Sequence, residues 1–460
     1  MVDVLKRLIP GPPRRLIGRV LVRLGIMKRD PSSPQLQAAI ISAVALSVKG
    51  EPGAGEALVQ RILGGDLTTH PGLPPEYIAE FVRAIEQRRS LVIRNDATDA
   101  LLQRTTDLDA SCLPSSRWLL LHAACIRNGL FKAAGPVRDK GIQAAYREAS
   151  APRAGLDCLV QAFKVAVDQS EFDRAQAVLE RVHSLECDNR LRDDLQLYYY
   201  LNMGDTPRLR TLSRERLGKQ DPAFAEYIHD RSIAIIGPAP SGDDAGADID
   251  SSDILIRFNY RGRQFLGPAN EFGCRTDVSY YNLDAARRIS NMESLTFFDE
   301  LRFSIFKRMD YDFQERLLRS QRGRVFRWNR FHFAGTAMAL QNALYDLFHF
   351  QPRRVSIMHV NFFLAHNQYH AGYAMDSTCE DTPQDKVRKM FMQWHSFAHH
   401  GLLNQVNFIR NLWKAGLVLP QGSCEAVLRL TPSQYLSQME EVWVINRMSE
   451  YARHLSDDSG

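Results

Sequence analysis

Arg231–Asn259 reads RSIAIIGPAPSGDDAGADIDSSDILIRFN. Ser232–Ile236 is a short, β-branched apolar run of the kind that forms a strand covered on both faces of a parallel sheet. Gly237–Gly242 interrupts it with small residues, which let a backbone approach a ligand and turn its N–H groups toward phosphate oxygens. Ile254–Phe258 then resumes as strand and delivers Asn259 at its carboxyl end, where open α/β sheets place ligand contacts. The stretch therefore predicts the start of an α/β domain and a nucleotide site.

Working outward, the pattern after Asn259 continues to alternate. Asp277–Asn282 and Val325–Trp328 read as strands, Gly335–Phe348 as a turn opening an amphipathic helix, and Arg353–Phe363 as a further buried strand. Leu402–Gly416 reads as a helix stopped by glycine, and Pro432–Leu455 as one last helix. On the other side, residues 35–225 are helical almost throughout. Turns at Asn128–Phe131, Gln169–Phe172 and Met203–Thr206 recur at intervals that fit stacked helix–turn–helix units of the tetratricopeptide kind, a scaffold able to dock a protein partner. Three regions follow: 1–30, 35–225 and 230–460.

At 460 residues with 45% apolar and 24% charged residues, the chain has globular composition and exceeds the size of one core. Seven scattered cysteines form no C-x-x-C pair and predict buried thiols, not disulfides or structural zinc. Residues 1–30 hold eight Lys/Arg and two Asp, net +6 against +5 for the whole chain, which leaves the remainder at −1 and argues against a nucleic-acid surface. In that segment Leu16, Ile17, Val20, Leu21 and Leu24 make an apolar stripe beside Arg15, Arg19 and Arg23, a pattern suited to an anionic membrane surface. No apolar run spans a bilayer and no leader opens the chain, so the expected place is the cytoplasm, peripheral to the inner face of the membrane.

Four features together give the chain a family likeness. They are GPAPS at Gly237–Ser241 with DILIRFN at Asp253–Asn259, the turn Ala334–Gly335–Thr336, the strand end VNFF at Val360–Phe363 with Tyr369 six residues on, and His395–Ser396 before a helix. In this order they resemble the sialyltransferase superfamily, most closely its small bacterial branch, over about residues 231–430. The resemblance implies a Rossmann-like α/β domain, here behind an all-α, repeat-like one, that moves an acidic sugar (sialic acid, Kdo or a related ulosonic acid) with inversion. The donor is a CMP-sugar, the acceptor a glycan or glycolipid, and neither metal nor cofactor is used.

It also assigns roles. Gly237, Pro238, Ser241 and Asn259 fall to the nucleotide, with Gly335, Thr336 and Ser396 at the donor phosphate or carboxylate. His395 is the general base, suited by its titration near neutral pH, and Tyr369 donates to the leaving group. Departures are Pro238 where the family has Asn, Phe363 where it has Tyr, and Arg330 as the nearest arginine before the Gly335 turn. His359, His366 and His370 stand near enough in sequence to compensate for the missing hydroxyl. Asp248–Ile249–Asp250 mimics a metal-binding D-x-D but reads as a solvated turn, and the scattered histidines as structural residues. A transferase-like domain without turnover, serving a protein-interaction scaffold, is the alternative.

Overall fold

The computed structural model describes residues 54–63, 72–93, 96–185, 187–218, 221–365, 368–370, 372–373 and 382–451. The basic segment 1–30, His366 and Cys379 lie outside the described residues. Seven parallel strands form one sheet in the order β5-β4-β3-β2-β1-β6-β7. They are β1 (Ser232–Ile236), β2 (Ile254–Phe258), β3 (Val278–Tyr281), β4 (Phe303–Phe306), β5 (Gly323–Val325), β6 (Arg354–Met358) and β7 (Val418–Pro420). The chain runs outward from β1 to β5, returns to pair β6 with β1, and ends at β7.

Alternation along each strand shows why both faces are covered. Ile233, Ile235, Ile254, Ile256, Val278 and Ile305 belong to one large core that also contains Phe163 and Phe131 of the helical region. Ala234, Ile236 and Leu255 pack on the opposite face against Ile249 and Phe272, while Tyr281 and Phe306 meet Ile289 and Phe313. Secondary structure changes near residue 230, but the core runs through that boundary without a break.

The helical region is built from hairpins, and the three turns singled out in the sequence join them: Ser115–Arg127 to Phe131–Ser150, Leu156–Asp168 to Phe172–Ser184, and Asn189–Met203 to Thr206–Arg214. Each turn repeats one hydrogen bond, from the N–H of Leu130, Glu171 and Asp205 to the carbonyl five residues earlier, at 2.8–2.9 Å. The residue before each donor, Gly129, Ser170 or Gly204, is left-handed, as this helix ending requires.

All three turns rest on the same two helices, Pro383–His400 and Leu402–Lys414, joined at left-handed Gly401. A Cβ at Gly129 would stand 2.6 Å from Trp394, and one at Gly204 2.8 Å from Ala415. Ser170 Oγ donates to Asn411 Oδ1 at 2.6 Å, and Asn411 Nδ2 donates to Val167 O at 2.8 Å. These helices form a strut: Phe397 packs on Phe363 just beyond β6, the Gly335 loop after β5 abuts Gly401, and the second helix then descends the sheet toward β7.

Several expected elements have different limits. The helix expected from Gly335 begins at Ala339, because Gly335 is left-handed and Thr336 N–H is drawn to His399 O at 3.0 Å. The strand predicted at Val325–Trp328 is the short edge strand β5, ending at Val325. β6 stops at Met358, where His359 turns left-handed. The last helix divides into α-helix Pro432–Glu440 and π-helix Glu441–Met448. Cys125 and Cys424 are buried thiols as expected, but Cys274 is exposed. No helix among the described residues is long and apolar enough to cross a membrane.

Asp168 holds the strut to the hairpins. Its carboxylate pairs with buried Arg138 and accepts from Asn404 Nδ2 at 2.7 Å and Asn407 Nδ2 at 3.2 Å. Asp168→Ala leaves a buried cation and the amides of Asn404, Asn407 and Gln169 without this acceptor, an expected loss of about 3–5 kcal/mol. Urea denaturation should show a lowered midpoint, and the double variant Arg138→Met/Asp168→Leu should regain part of it. An unchanged midpoint for Asp168→Ala would remove the network from this role.

Candidate active site at the carboxyl ends of β1 and β2

Strand order reverses between β1 and β6, and in open parallel sheets ligands sit outside the carboxyl ends of the strands at that point. Here the two loops are stitched together. Gly237 N–H donates to Met358 O at 2.9 Å, Ala239 N–H to His359 O at 3.0 Å, and His370 N–H to Pro238 O at 2.9 Å. A Cβ on Gly237 would lie 2.3 Å from His359 O, so glycine is required by the neighbouring loop as well as by anything that binds. Asn259, His359, Phe362 and Phe363 all have positive φ and all follow β2 or β6. Backbone strain of this kind persists only where surroundings impose it, and it concentrates at functional sites.

Beside this point opens a cleft lined by Gly237, Pro238, Arg257, Asn259, Arg261, His370 and Tyr373 together with apolar neighbours. Asn259 is fixed on three sides: its N–H donates to Tyr280 O at 2.9 Å, its Oδ1 accepts from Asn282 N–H at 3.2 Å, and its Nδ2 donates to Tyr373 Oη at 3.4 Å. Burial pushes the Tyr373 phenol well above its ordinary range, so it stays a neutral donor. The Tyr369 ring stacks on Tyr373 with centroids 5.1 Å apart, but it is 43% exposed and does not line the cleft. His370 does line it, with its ring against Phe272 and Tyr373.

Ser241 lies just outside, and its donors are engaged. The N–H groups of Ser241 and Gly242 both donate to Glu271 Oε1, at 2.5 and 2.9 Å. Burial opposes ionisation of Glu271, yet these amides and nearby His359 outweigh it and hold the carboxyl below its usual range. His359 fastens the same loop, with Nδ1 3.2 Å from Ala239 O and Nε2 3.1 Å from Glu271 O.

The remaining expected residues form a second group on the strut. Thr382 and Asp385 make a reciprocal cap before Pro383, so His395 and Ser396 sit in the last turns of the Pro383–His400 helix, and the helix expected after them follows Gly401 as Leu402–Lys414. Ser396 is half-buried there. Arg127 donates to His395 Nδ1 at 3.1 Å, which leaves the ring proton of the neutral imidazole on Nε2. Burial, with Arg127 and His399 close by, pulls this imidazole down to about 4. Such a ring is a poor base near neutral pH. Gly335 and Thr336 buttress the strut's end: Thr336 Oγ1 lies 3.2 Å from His400 Nδ1, and the Thr336 N–H is spent on His399 O.

Gly237, Pro238 and Asn259 thus meet in one cleft, whereas His395, Ser396, Gly335 and Thr336 do not line it. The sequence reading quoted Arg257 within DILIRFN but gave it no role, and it passed over Arg261 and Tyr373. Asp248 and Asp250 fall in a short helix, Gly246–Asp250, and Asp250 accepts from the N–H groups of Cys274 and Arg275, which explains this acidic pair structurally. No group of three His, Cys, Asp or Glu side chains among the described residues is arranged to hold a metal ion.

Two outcomes follow from this geometry. Glu271→Ala should loosen the 237–242 loop and raise its hydrogen-exchange rate by mass spectrometry; unchanged protection there would mean that Glu271 does not restrain it. Burial also holds four histidines neutral, lowering His122, His349 and His400 to about 4 and His332 to about 3. Folded, they bind fewer protons than in the unfolded chain, where they titrate near 6.5, so stability is full above that pH and falls as pH drops toward 4. Each contributes up to about 1.4 kcal/mol per pH unit in that window. A melting temperature that is flat between about pH 7 and about pH 5 would contradict these neutral states. Compared with known proteins, the chain matches no protein-family model and no curated protein.

Proposed function

We propose that the cleft binds the nucleotide of an activated sugar, and that the chain is an inverting, metal-independent glycosyltransferase that moves an acidic sugar from a CMP donor to a glycan or glycolipid. The observation that carries this reading is Asn259. A polar side chain in left-handed backbone, held by Asn282 and Tyr373, stands at the carboxyl end of β2, one strand from the β1–β6 reversal at whose carboxyl side parallel sheets receive ligands. Its amide and the adjoining Gly237–Pro238 turn suit the cytidine and ribose.

Chemistry at such a donor needs a base for the acceptor hydroxyl and a donor for the departing phosphate. Tyr373, neutral and already oriented by Asn259, is placed for the second task better than Tyr369. His370 lines the cleft and is the base this reading favours. With its proton on Nε2, His395 acts in this scheme as a hydrogen-bond donor. The scaffold alternative draws on a separate observation, that Glu271 already occupies the Ser241 and Gly242 amides. Its signature would be nucleotide binding without transfer or hydrolysis.

The test is thermal stabilisation by nucleotides, then turnover. CMP at a hundred times its dissociation constant should stabilise the protein by about 2.7 kcal/mol, UDP and GDP by less. Asn259→Ala should weaken CMP binding without altering the circular-dichroism spectrum. His370→Ala should lower turnover by roughly 10²–10⁴-fold with little change in CMP affinity. Loss of turnover in His395→Ala with His370→Ala unaffected would reverse the two roles. No response to any nucleotide would end this reading.

A further inference from the structure

Among the described residues six arginines are buried: Arg88, Arg127, Arg138, Arg257, Arg261 and Arg324. Three are paired as elementary electrostatics demands, Arg88 with Glu440, Arg138 with Asp168, and Arg324 with both Asp221 and Asp346. Arg127 meets His395 on the strut. The other two, Arg257 and Arg261, line the cleft, and among the described residues neither is paired with a carboxylate.

Both are anchored through neutral groups. Arg257 donates from Nε to Thr276 Oγ1 at 3.1 Å and Arg275 O at 3.3 Å, and from Nη2 to Phe272 O. Arg261 donates from Nη2 to Gly372 O at 2.8 Å and Tyr373 O at 2.9 Å, and its guanidinium stacks 4.4 Å from the centre of the Phe265 ring. Arg257 is 6% exposed and Arg261 8%, so their charges are largely withdrawn from water. Yet Nη1 of Arg257 and both Nε and Nη1 of Arg261 make no hydrogen bond among the described residues, and none is sealed from solvent. Among the described residues that line the cleft there is no Asp or Glu. The carboxylate that acts on Arg257, Asp250, is committed to the amides of Cys274 and Arg275.

Each arginine is therefore fixed by carbonyl and hydroxyl oxygens, with N–H groups left over at a concave surface where no carboxylate among the described residues pairs with it. We infer that the Arg257–Arg261 wall of the cleft is an oxyanion subsite, which recognises a phosphate or carboxylate group of the ligand through the guanidinium N–H groups left unbonded. The inference rests on the cleft being the ligand site and names the charge its ligand must bring. A nucleoside monophosphate offers the phosphate, and an acidic sugar offers the carboxylate.

Isothermal titration of the full chain with cytidine, CMP, inorganic phosphate and free N-acetylneuraminate separates these sources. If phosphate is the group held, CMP binds more tightly than cytidine and inorganic phosphate competes with it. If carboxylate is held, N-acetylneuraminate binds and competes while phosphate does not. Arg261→Gln keeps a donor for the Gly372 carbonyl but removes the charge, so it should weaken the recognised anion by roughly tenfold to hundredfold. Arg261→Lys should retain part of that affinity, and high salt should weaken the wild type toward the glutamine variant. Arg257→Lys serves as a second probe, its fold checked by circular dichroism. Anion binding that depends on Arg261 without any affinity for cytidine compounds would uphold the subsite and dismiss the nucleotide. Equal affinity for cytidine and CMP with no bound phosphate or N-acetylneuraminate, or an Arg261→Gln variant that binds like the wild type, would overturn the inference.

Discussion

The Asp168 carboxylate is the contact on which the architecture turns. An arginine as deep as Arg138 is tolerated only beside a counter-charge, and Asp168 supplies it while accepting from Asn404 and Asn407 of the strut. One side chain thus fixes the second hairpin to the helix that descends the sheet. Apolar packing supplies most of the stabilisation but is not directional. Buried polar contacts select one docking out of many sliding alternatives, and Ser170 to Asn411 and Asn411 to Asn202 continue the same line. The hairpin turns, which in a repeat array could face a partner, are turned inward here and spent on the strut.

That docking carries through to the sheet edge. The strut crosses beside the ends of β5 and β6, so its position sets the Gly335 loop and Phe363, and through β6 the left-handed residues that end that strand. Gly237 shows how little slack remains, since even one methyl group would collide with His359 O. Asn259 is strained in the same sense, but asparagine tolerates left-handed backbone better than most residues, and its side chain is held on both ends. Rigid placement of a polar group at a strand end is what a binding site needs.

The sequence made much of this legible. The β1–turn–β2 stretch announced a parallel sheet because its apolar runs are short, β-branched and punctuated by glycine, and the hairpin turns stood out because they fall between helical patterns at repeat-like intervals. Two strands escaped notice. β4 is four residues, FSIF, and β7 three, VLP, too short for a period to show and overshadowed by neighbouring helices. The cap TPQD at Thr382–Asp385 was readable and would have put His395 inside a helix of its own as well as ahead of the next. The partition of the expected site residues between cleft and strut was not readable, because it depends on where the β6–β7 crossover lies in space. Nor could sequence tell a paired arginine from an unpaired one: Arg257 and Arg324 look alike in a strand, and only the fold shows that Asp346 and Asp221 reach the second while no acid among the described residues pairs with the first.

Proton placement links the two groups of residues. His395 receives an N–H from Arg127, a cation on the first hairpin, so protonating that imidazole would set two positive charges side by side in a half-buried place. The ring stays neutral down to about pH 4, with Nε2 as a donor. Helical hairpin and strut together therefore fix a tautomer, and with it the direction in which His395 can hydrogen-bond. The cleft is the opposite case, because its cations are held by oxygens that carry no full charge and still have donors to offer. Under the proposed function, such a site would draw in an anion before any chemistry and leave the neutral phenol of Tyr373 and the imidazole of His370 to act on what that anion brings within reach.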